Sequence, residues 1–171
     1  MTTVIACRPL LTMVADSRIS HGDGKFTSRK KIQKVGKFLA GVAGDYAPAL
    51  TYLKNFANTA REMDGKTVPS LPAFEGEFEL LVLSEFGLWI YGEDGTPIEV
   101  EEEIYAIGTG SGFANACLRT QELMLQPCNL AMALEVACEY DPGSSLPMVE
   151  LTLARRKRLD TIGHAEGKRP A

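Results

Sequence analysis

Residues 1–18 read MTTVIACRPLLTMVADSR. Two β-rich runs, 2–8 and 11–16, flank Arg8-Pro9-Leu10. Proline fixes its own φ and cannot donate to a ladder, so it suits a turn between two strands. A hairpin is predicted at the very start of the chain. Chain ends are usually frayed and functionally idle, so strand sequence beginning at Thr2 raises the question of what that threonine does.

Working outward, residues 17–25 are polar and glycine-containing and are predicted as a loop, and 26–35 with 38–43 as a second hairpin around Gly36-Lys37. The period then changes. From Asp45 the apolar residues Leu50, Leu53, Phe56, Ala57 and Ala60 recur at helical spacing, which predicts a helix over about 46–63 with Asp45 as its N-cap. Residues 64–77 form a connection. The runs 78–84 and 88–92 make a third hairpin, 93–103 a turn and acidic stretch, and 104–108 a short buried strand. Helices over about 111–125 and 129–140 are separated by Pro127, and a final strand covers 148–154. Hairpins in sequence with helices in blocks point to an α+β sandwich of two packed antiparallel sheets flanked by helices, rather than a doubly wound parallel sheet.

A chain of 171 residues, 45% hydrophobic, supports one domain with a real core. The formal net charge is -4, which gives no reason to expect nucleic acid as a partner. Cys7, Cys117, Cys128 and Cys138 lack CxxC spacing, and His21 and His164 lie far apart, so no metal site and no cofactor are expected. Free thiols in a reducing cytosol fit better. The first residues lack the charged start and apolar run of a signal peptide, and no stretch approaches the roughly 20 apolar residues of a membrane span, so a cytoplasmic protein is expected. The domain is expected over 1–154. The tail 155–171 carries six basic and two acidic residues, and without it the body has 12 basic and 20 acidic residues, net -8. The tail reads as a solubilising, partly disordered end or, alternatively, as a docking arm.

The stretch IYAIGTGSGFANA (104–116) has a strand, a glycine turn and a helix start, the setting of a dinucleotide fingerprint. The third glycine position is Phe113, and a second helix rather than a strand follows. A turn that brings a helix close to a sheet is the simpler reading.

Thr2 carries chemistry of its own. Methionine aminopeptidases generally remove Met1 ahead of a small residue, which would leave an unblocked α-amine beside a hydroxyl. That amine, with an ordinary pKa near 7.7–8.0, can accept the hydroxyl proton, so one residue would supply nucleophile and base. A nearby cation favours the neutral amine, a carboxylate holds the cation, and backbone N–H groups stabilise an oxyanion. Asp16 at the end of the second run, Lys31 in the next hairpin and Gly44 in GVAGD (41–45) are candidates for these tasks. Lys30 and Lys34 compete with Lys31.

The motifs TTVIA (2–6), ADSR (15–18), KKIQKV (30–35), GVAGD (41–45), AIGTGS (106–111) and ACEYDPGS (137–144) occur in that order, and with them the chain resembles a proteasome β-type subunit. Its size is similar to that of the HslV-like threonine peptidases, within the N-terminal nucleophile (Ntn) hydrolases. The resemblance spans 2–154 and implies a four-layer αββα sandwich. It implies Thr2 as nucleophile, Asp16 and Lys31 as the charged pair, Gly44 N–H as oxyanion hole, and Asp141 and Ser144 as support for the threonine amine. Thr109 falls where the family has a serine, a departure that keeps the hydroxyl. Ser20 and Val42 match positions that hold the substrate backbone and line its first specificity pocket. Val42 suggests an apolar preference there, and neighbouring Arg29 something polar. The first hairpin is about two residues shorter than in many relatives. A homo-oligomeric ring that degrades peptide or unfolded protein, with an ATP-dependent unfoldase as partner, is implied by family. Two other readings are a non-catalytic ring or scaffold subunit that kept the fold, and an amidase of the same superfamily acting on a small molecule.

Overall fold

A computed structural model describes residues 2–20 and 26–155. Eleven strands and three helices follow in order: β1 (Thr3–Cys7), β2 (Thr12–Asp16), β3 (Arg18–Ser20), β4 (Phe26–Ser28), β5 (Ile32–Val35), β6 (Phe38–Gly44), α1 (Tyr46–Ala60), β7 (Phe78–Leu83), β8 (Leu88–Tyr91), β9 (Pro97–Glu99), β10 (Ile104–Gly108), α2 (Ser111–Leu123), α3 (Leu130–Tyr140) and β11 (Met148–Thr152). One sheet has the order β10-β1-β2-β11, another β5-β6-β7-β8-β9, and β3-β4 form a separate ribbon. The pairings are antiparallel.

Alternation along the strands generates the layers. On β6 and β7, Phe38, Ala40, Val42, Leu80 and Val82 face α1 and pack with Tyr52, Leu53 and Phe56. Their neighbours Leu39, Ala43, Leu81 and Leu83 face the other way and meet Val4, Ala6, Met13 and Ala15 of the four-stranded sheet. That sheet's other face presents Ile5, Cys7 and Val14 to Ala114 and Leu118 of α2 and to Ala133, Leu134 and Ala137 of α3. Three apolar interfaces therefore separate four layers, helix, sheet, sheet and helices, the αββα sandwich implied by the sequence. Burying each large aliphatic or aromatic side chain in them contributes about 1.5–3 kcal/mol.

The structure departs from the predicted elements where burial is low. Residues 18–20, predicted as loop, pair with 26–28, which leave the predicted second hairpin. Within 93–103, Pro97–Glu99 adds an edge strand to β8. Ile98 and Glu99 are exposed there, so no burial pattern announces it, and the leading proline belongs at an edge. α1 ends at Ala60, the last residue of its buried stripe, before Asp64 and Gly65 turn the chain. Asp45 is its N-cap position, but the carboxylate makes no capping bond. Asn129 does cap α3, accepting from Met132 N–H at 3.0 Å. Apart from Arg155, whose guanidinium donates to the Pro9 carbonyl, the basic tail lies outside the described residues.

Candidate active site

The β1–β2 hairpin carries the site because its register sets Val4 opposite Ala15 and brings Asp16 alongside the start of β1. Asp16 is 0% exposed and its carboxylate is saturated with donors. It accepts from Thr3 N–H at 2.8 Å, Arg18 N–H at 3.1 Å and Ser145 N–H at 3.4 Å. Lys31 Nζ donates to both oxygens, at 3.0 and 2.9 Å. Lys31 is 2% exposed, whereas Lys30 and Lys34 point to solvent. Burial pushes the Lys31 ammonium below the ordinary lysine range, and Asp16 pulls back against that shift. Ion-pair attraction must offset desolvation of two charges, which is why such a pair is rarely found without further hydrogen bonds. Here backbone N–H groups supply them.

A second network starts from Thr3. Its Oγ1 lies 2.7 Å from Ser144 Oγ. Ser144 Oγ donates to Asp141 Oδ2 at 2.7 Å, and Thr109 Oγ1 donates to the same oxygen at 2.7 Å. Gly143 N–H donates to Asp141 Oδ1 at 3.1 Å. Burial raises the affinity of the Asp141 carboxyl for its proton, but these three donors outweigh it and hold the group below the ordinary carboxylate range. Asp16, Lys31, Thr109, Asp141 and Ser144 are thus brought to one end of the sandwich, with the first residues of β1 between the two networks. Thr3, which sequence reasoning did not assign, links them: its N–H binds Asp16 and its hydroxyl reaches Ser144.

The alternation of β1 places Val4 and Ala6 between the sheets and Ile5 and Cys7 against the helices. Continued backwards, it directs Thr2 between the sheets and Thr3 towards α3. Thr2 is 4% exposed and lines a cleft of about 610 Å³ together with Gly44, Gly108 and Thr109. The glycine turn explains how a helix start approaches so closely. Gly108 has φ +91°, and a Cβ there would sit 1.9 Å from the Thr2 carbonyl oxygen. A Cβ on Gly110 would sit 2.1 Å from Thr3 Oγ1. The motif that resembles a nucleotide fingerprint is a seat for the first two threonines.

The residues that the resemblance assigns to the substrate side fall elsewhere. Val42 is buried under α1. Ser20 lies in β3, and Arg29 is exposed, its N–H donating to the Ser17 carbonyl at 2.8 Å. Among the described residues, none of the three lines the cleft at Thr2. Glu79, also unassigned from sequence, does line it and accepts from Gly108 N–H at 3.2 Å. The available signal was a carboxylate in FELLVL, an otherwise apolar strand.

The ATP-dependent protease subunit HslV of Thermosipho melanesiensis is 30% identical over 154 residues, covering 81% of this chain and 85% of that protein. The protein of the same name in Caldicellulosiruptor saccharolyticus is 26% identical over 173 aligned positions, covering 88% and 98%. No protein-family model matches. Among solved structures, a eukaryotic HslV from Trypanosoma brucei superposes with a TM-score of 0.66 at 23% identity, covering 88% of this chain and 98% of that one. Thiobacillus denitrificans BPH, in complex with epoxomicin, gives 0.64 at 19% identity, covering 88% and 97%. At these identities the structures speak to the fold.

Proposed function

This chain belongs to the HslV family of ATP-dependent protease subunits, and on that basis we propose that it is a threonine-type endopeptidase whose nucleophile is Thr2 once Met1 has been removed. The observation that carries the reading is the buried Asp16–Lys31 pair, bonded to the N–H of the residue after Thr2, while Thr2 and Gly44 share one cleft.

In this reading the α-amine of Thr2 takes the proton from its own hydroxyl as Oγ1 attacks the carbonyl carbon of a peptide bond. Lys31 keeps the amine neutral by its positive charge, and Asp16 holds Lys31. Gly44 N–H binds the oxyanion of the tetrahedral intermediate. The C–N bond breaks as the ammonium returns its proton to the leaving amine, which leaves an ester on Thr2. Water then attacks the ester carbon as the amine takes its proton, and the C–Oγ1 bond breaks as the ammonium returns that proton to Oγ1, which releases the acid and restores Thr2. Asp141, Ser144 and Thr109 hold the amine in position. Ser20 and Arg29 belong to the substrate side, acting with neighbouring subunits of a homo-oligomeric ring, whereas Val42, buried under α1, acts only through the packing of β6. The relatives are named as ATP-dependent subunits, so an unfoldase that feeds unfolded protein into the ring is the expected partner.

Intact mass together with a covalent probe tests this. The purified protein is expected to have lost Met1, and an epoxyketone or boronate should label it on Thr2 and spare Thr2→Ala. A chain that keeps Met1 and takes no label supports a scaffold subunit instead. One that loses Met1 but neither reacts nor cleaves any peptide refutes the peptidase reading.

A further inference from the structure

Strand β1 reads TVIAC, and all five of its residues are buried. Val4, Ile5 and Ala6 are apolar, and Cys7 packs as a small hydrophobe. Thr3 is the exception. A buried hydroxyl costs free energy unless it is hydrogen-bonded, and valine would fill nearly the same volume without that cost. Thr3 joins two charged networks from one position, with its N–H on Asp16 Oδ1 at 2.8 Å and its hydroxyl 2.7 Å from Ser144 Oγ. The fit is close. A Cβ on Gly110 would lie 2.1 Å from Thr3 Oγ1 and 3.2 Å from Asp141 Oδ2.

Counting protons fixes the direction of the hydroxyl contact. Asp141 is held below the ordinary carboxylate range, so near neutral pH it is ionised and can only accept. Ser144 has one hydroxyl proton and donates it to Asp141 Oδ2 at 2.7 Å. Thr3 must therefore donate to Ser144, which makes a one-way chain from Thr3 through Ser144 to Asp141. Ser144 keeps one lone pair and no proton, so towards any further neighbour it acts only as an acceptor. That matters to an amine that must work as a base. An acceptor takes an amine N–H and leaves the nitrogen lone pair open, whereas a hydroxyl donor would occupy that lone pair.

We propose that Thr3 is a positioning residue: its hydroxyl directs the Ser144 proton onto Asp141, so that Ser144 meets the α-amine of Thr2 as an acceptor, while its N–H ties the same strand end to the Asp16–Lys31 pair. This rests on the peptidase reading above. The Thr3 side chain lies on the helix side of β1, away from the cleft, so it acts through Ser144 and not on substrate. A hydroxyl that accepts a bond donates a stronger one, so without Thr3 the Ser144 bond to Asp141 weakens. Asp141 and the Ser144 oxygen then offer more negative charge to an ammonium, and the Thr2 amine should hold its proton to higher pH. The other titratable groups at this end of the sandwich are left in place. They are Asp16 on β2, Lys31 before β5 and the Cys138 thiol on α3, which burial pushes up to about 11. Glu79, Asp45, Glu77 and Glu93 line the cleft.

Thr3→Val, Thr3→Ala and Thr3→Ser test this, each read by cleavage of an internally quenched peptide across pH. Thr3→Val and Thr3→Ala should lower kcat about tenfold, the size of one hydrogen bond, with KM unchanged. The acid limb of kcat/KM, which reports the groups of the unbound enzyme, should move up by about half a pH unit in both. Thr3→Ser keeps the donor and should return both readouts to wild type. Thr12→Val is the control. It removes a buried hydroxyl from the turn end of the same hairpin, where Thr12 Oγ1 lies 2.9 Å from Thr152 Oγ1, and should cost stability while kcat and the acid limb stay where they are. Thr3→Val and Thr3→Ala proteins with the kcat and acid limb of a labelled, active wild type overturn this proposal and leave the peptidase reading standing. So does a Thr3→Ser protein as impaired as Thr3→Val. A wild type that takes no covalent probe on Thr2 and cleaves nothing defeats the peptidase reading, and this proposal with it.

Discussion

Asp16 and Lys31 show what a buried pair does for a site and what it costs. Each is removed from water, and the carboxylate is compensated by the ammonium and by N–H groups of Thr3, Arg18 and Ser145. Removing the carboxylate's charge alone strands the ammonium, so Asp16→Asn should lose about 3–5 kcal/mol of unfolding free energy. Asp16→Asn combined with Lys31→Met removes both charges and should recover a large part of that loss while peptide turnover stays abolished. Urea unfolding of the single and double variants, set beside turnover of a quenched peptide, reads both effects. A double variant no more stable than Asp16→Asn would mean that the pair is not coupled as its geometry requires. At this scale much was legible beforehand. Asp16, Lys31, Asp141 and Ser144 stand in recognisable local motifs, and burial separates Lys31 from its exposed neighbours Lys30 and Lys34. Thr3 and Glu79 were missed for a physical reason. Their partners, Ser144 and Gly108, lie far away in sequence, and nothing local marks a hydroxyl or carboxylate whose partner comes from another sheet or loop.

Elements were legible in proportion to burial. The inner strands β1, β2, β6 and β7 are buried on both faces, read as nearly continuous apolar runs and fall close to their predicted bounds, whereas β3, β4 and β9 are three residues each and carry no such run. The turn from β10 into α2 was legible as a glycine turn, but its close approach to Thr2 joins residues far apart in the chain and left no local mark. Gly108 and Gly112 flank that turn and make a matched test. A Cβ on Gly108 collides with the Thr2 carbonyl, and its φ is one that alanine resists. A Cβ on Gly112 meets nothing within 4 Å, and the residue lies in α2. Gly108→Ala should therefore lower kcat by about a hundredfold, the effect expected when the proposed nucleophile moves by an ångström. Gly112→Ala should raise stability by about 0.5–1 kcal/mol, because alanine loses less backbone entropy in a helix. Single-turnover acylation and thermal unfolding measure the two. Equal loss of acylation in both variants would show that the turn, not the approach to Thr2, sets the rate.

For the whole molecule, the sandwich accounts for the apolar residues of the two packed helices unevenly. Leu118, Leu130 and Leu134 are core, whereas Leu123, Met124 and Met132 are exposed. Leu125 is the extreme case, 94% exposed and with φ 55° just past the end of α2. The carbonyls there are closed by Met124 N–H on Thr120, Leu125 N–H on Glu122 and Gln126 N–H on Gln121, at 3.0, 3.0 and 2.9 Å. Glycine is the residue such a left-handed helix end favours, and a leucine there costs on the order of 1 kcal/mol of backbone strain while its side chain is left in water. A residue that is unfavourable in the subunit on both counts is accounted for if assembly covers it. Leu125→Gly should then stabilise the isolated subunit and weaken the proposed ring. Sedimentation velocity over a dilution series should show the variant dissociating at a higher protein concentration than wild type, under conditions where its subunit unfolds later in denaturant. An oligomer of unchanged strength would place Leu125 on an outer surface and leave its strain without a purpose in assembly.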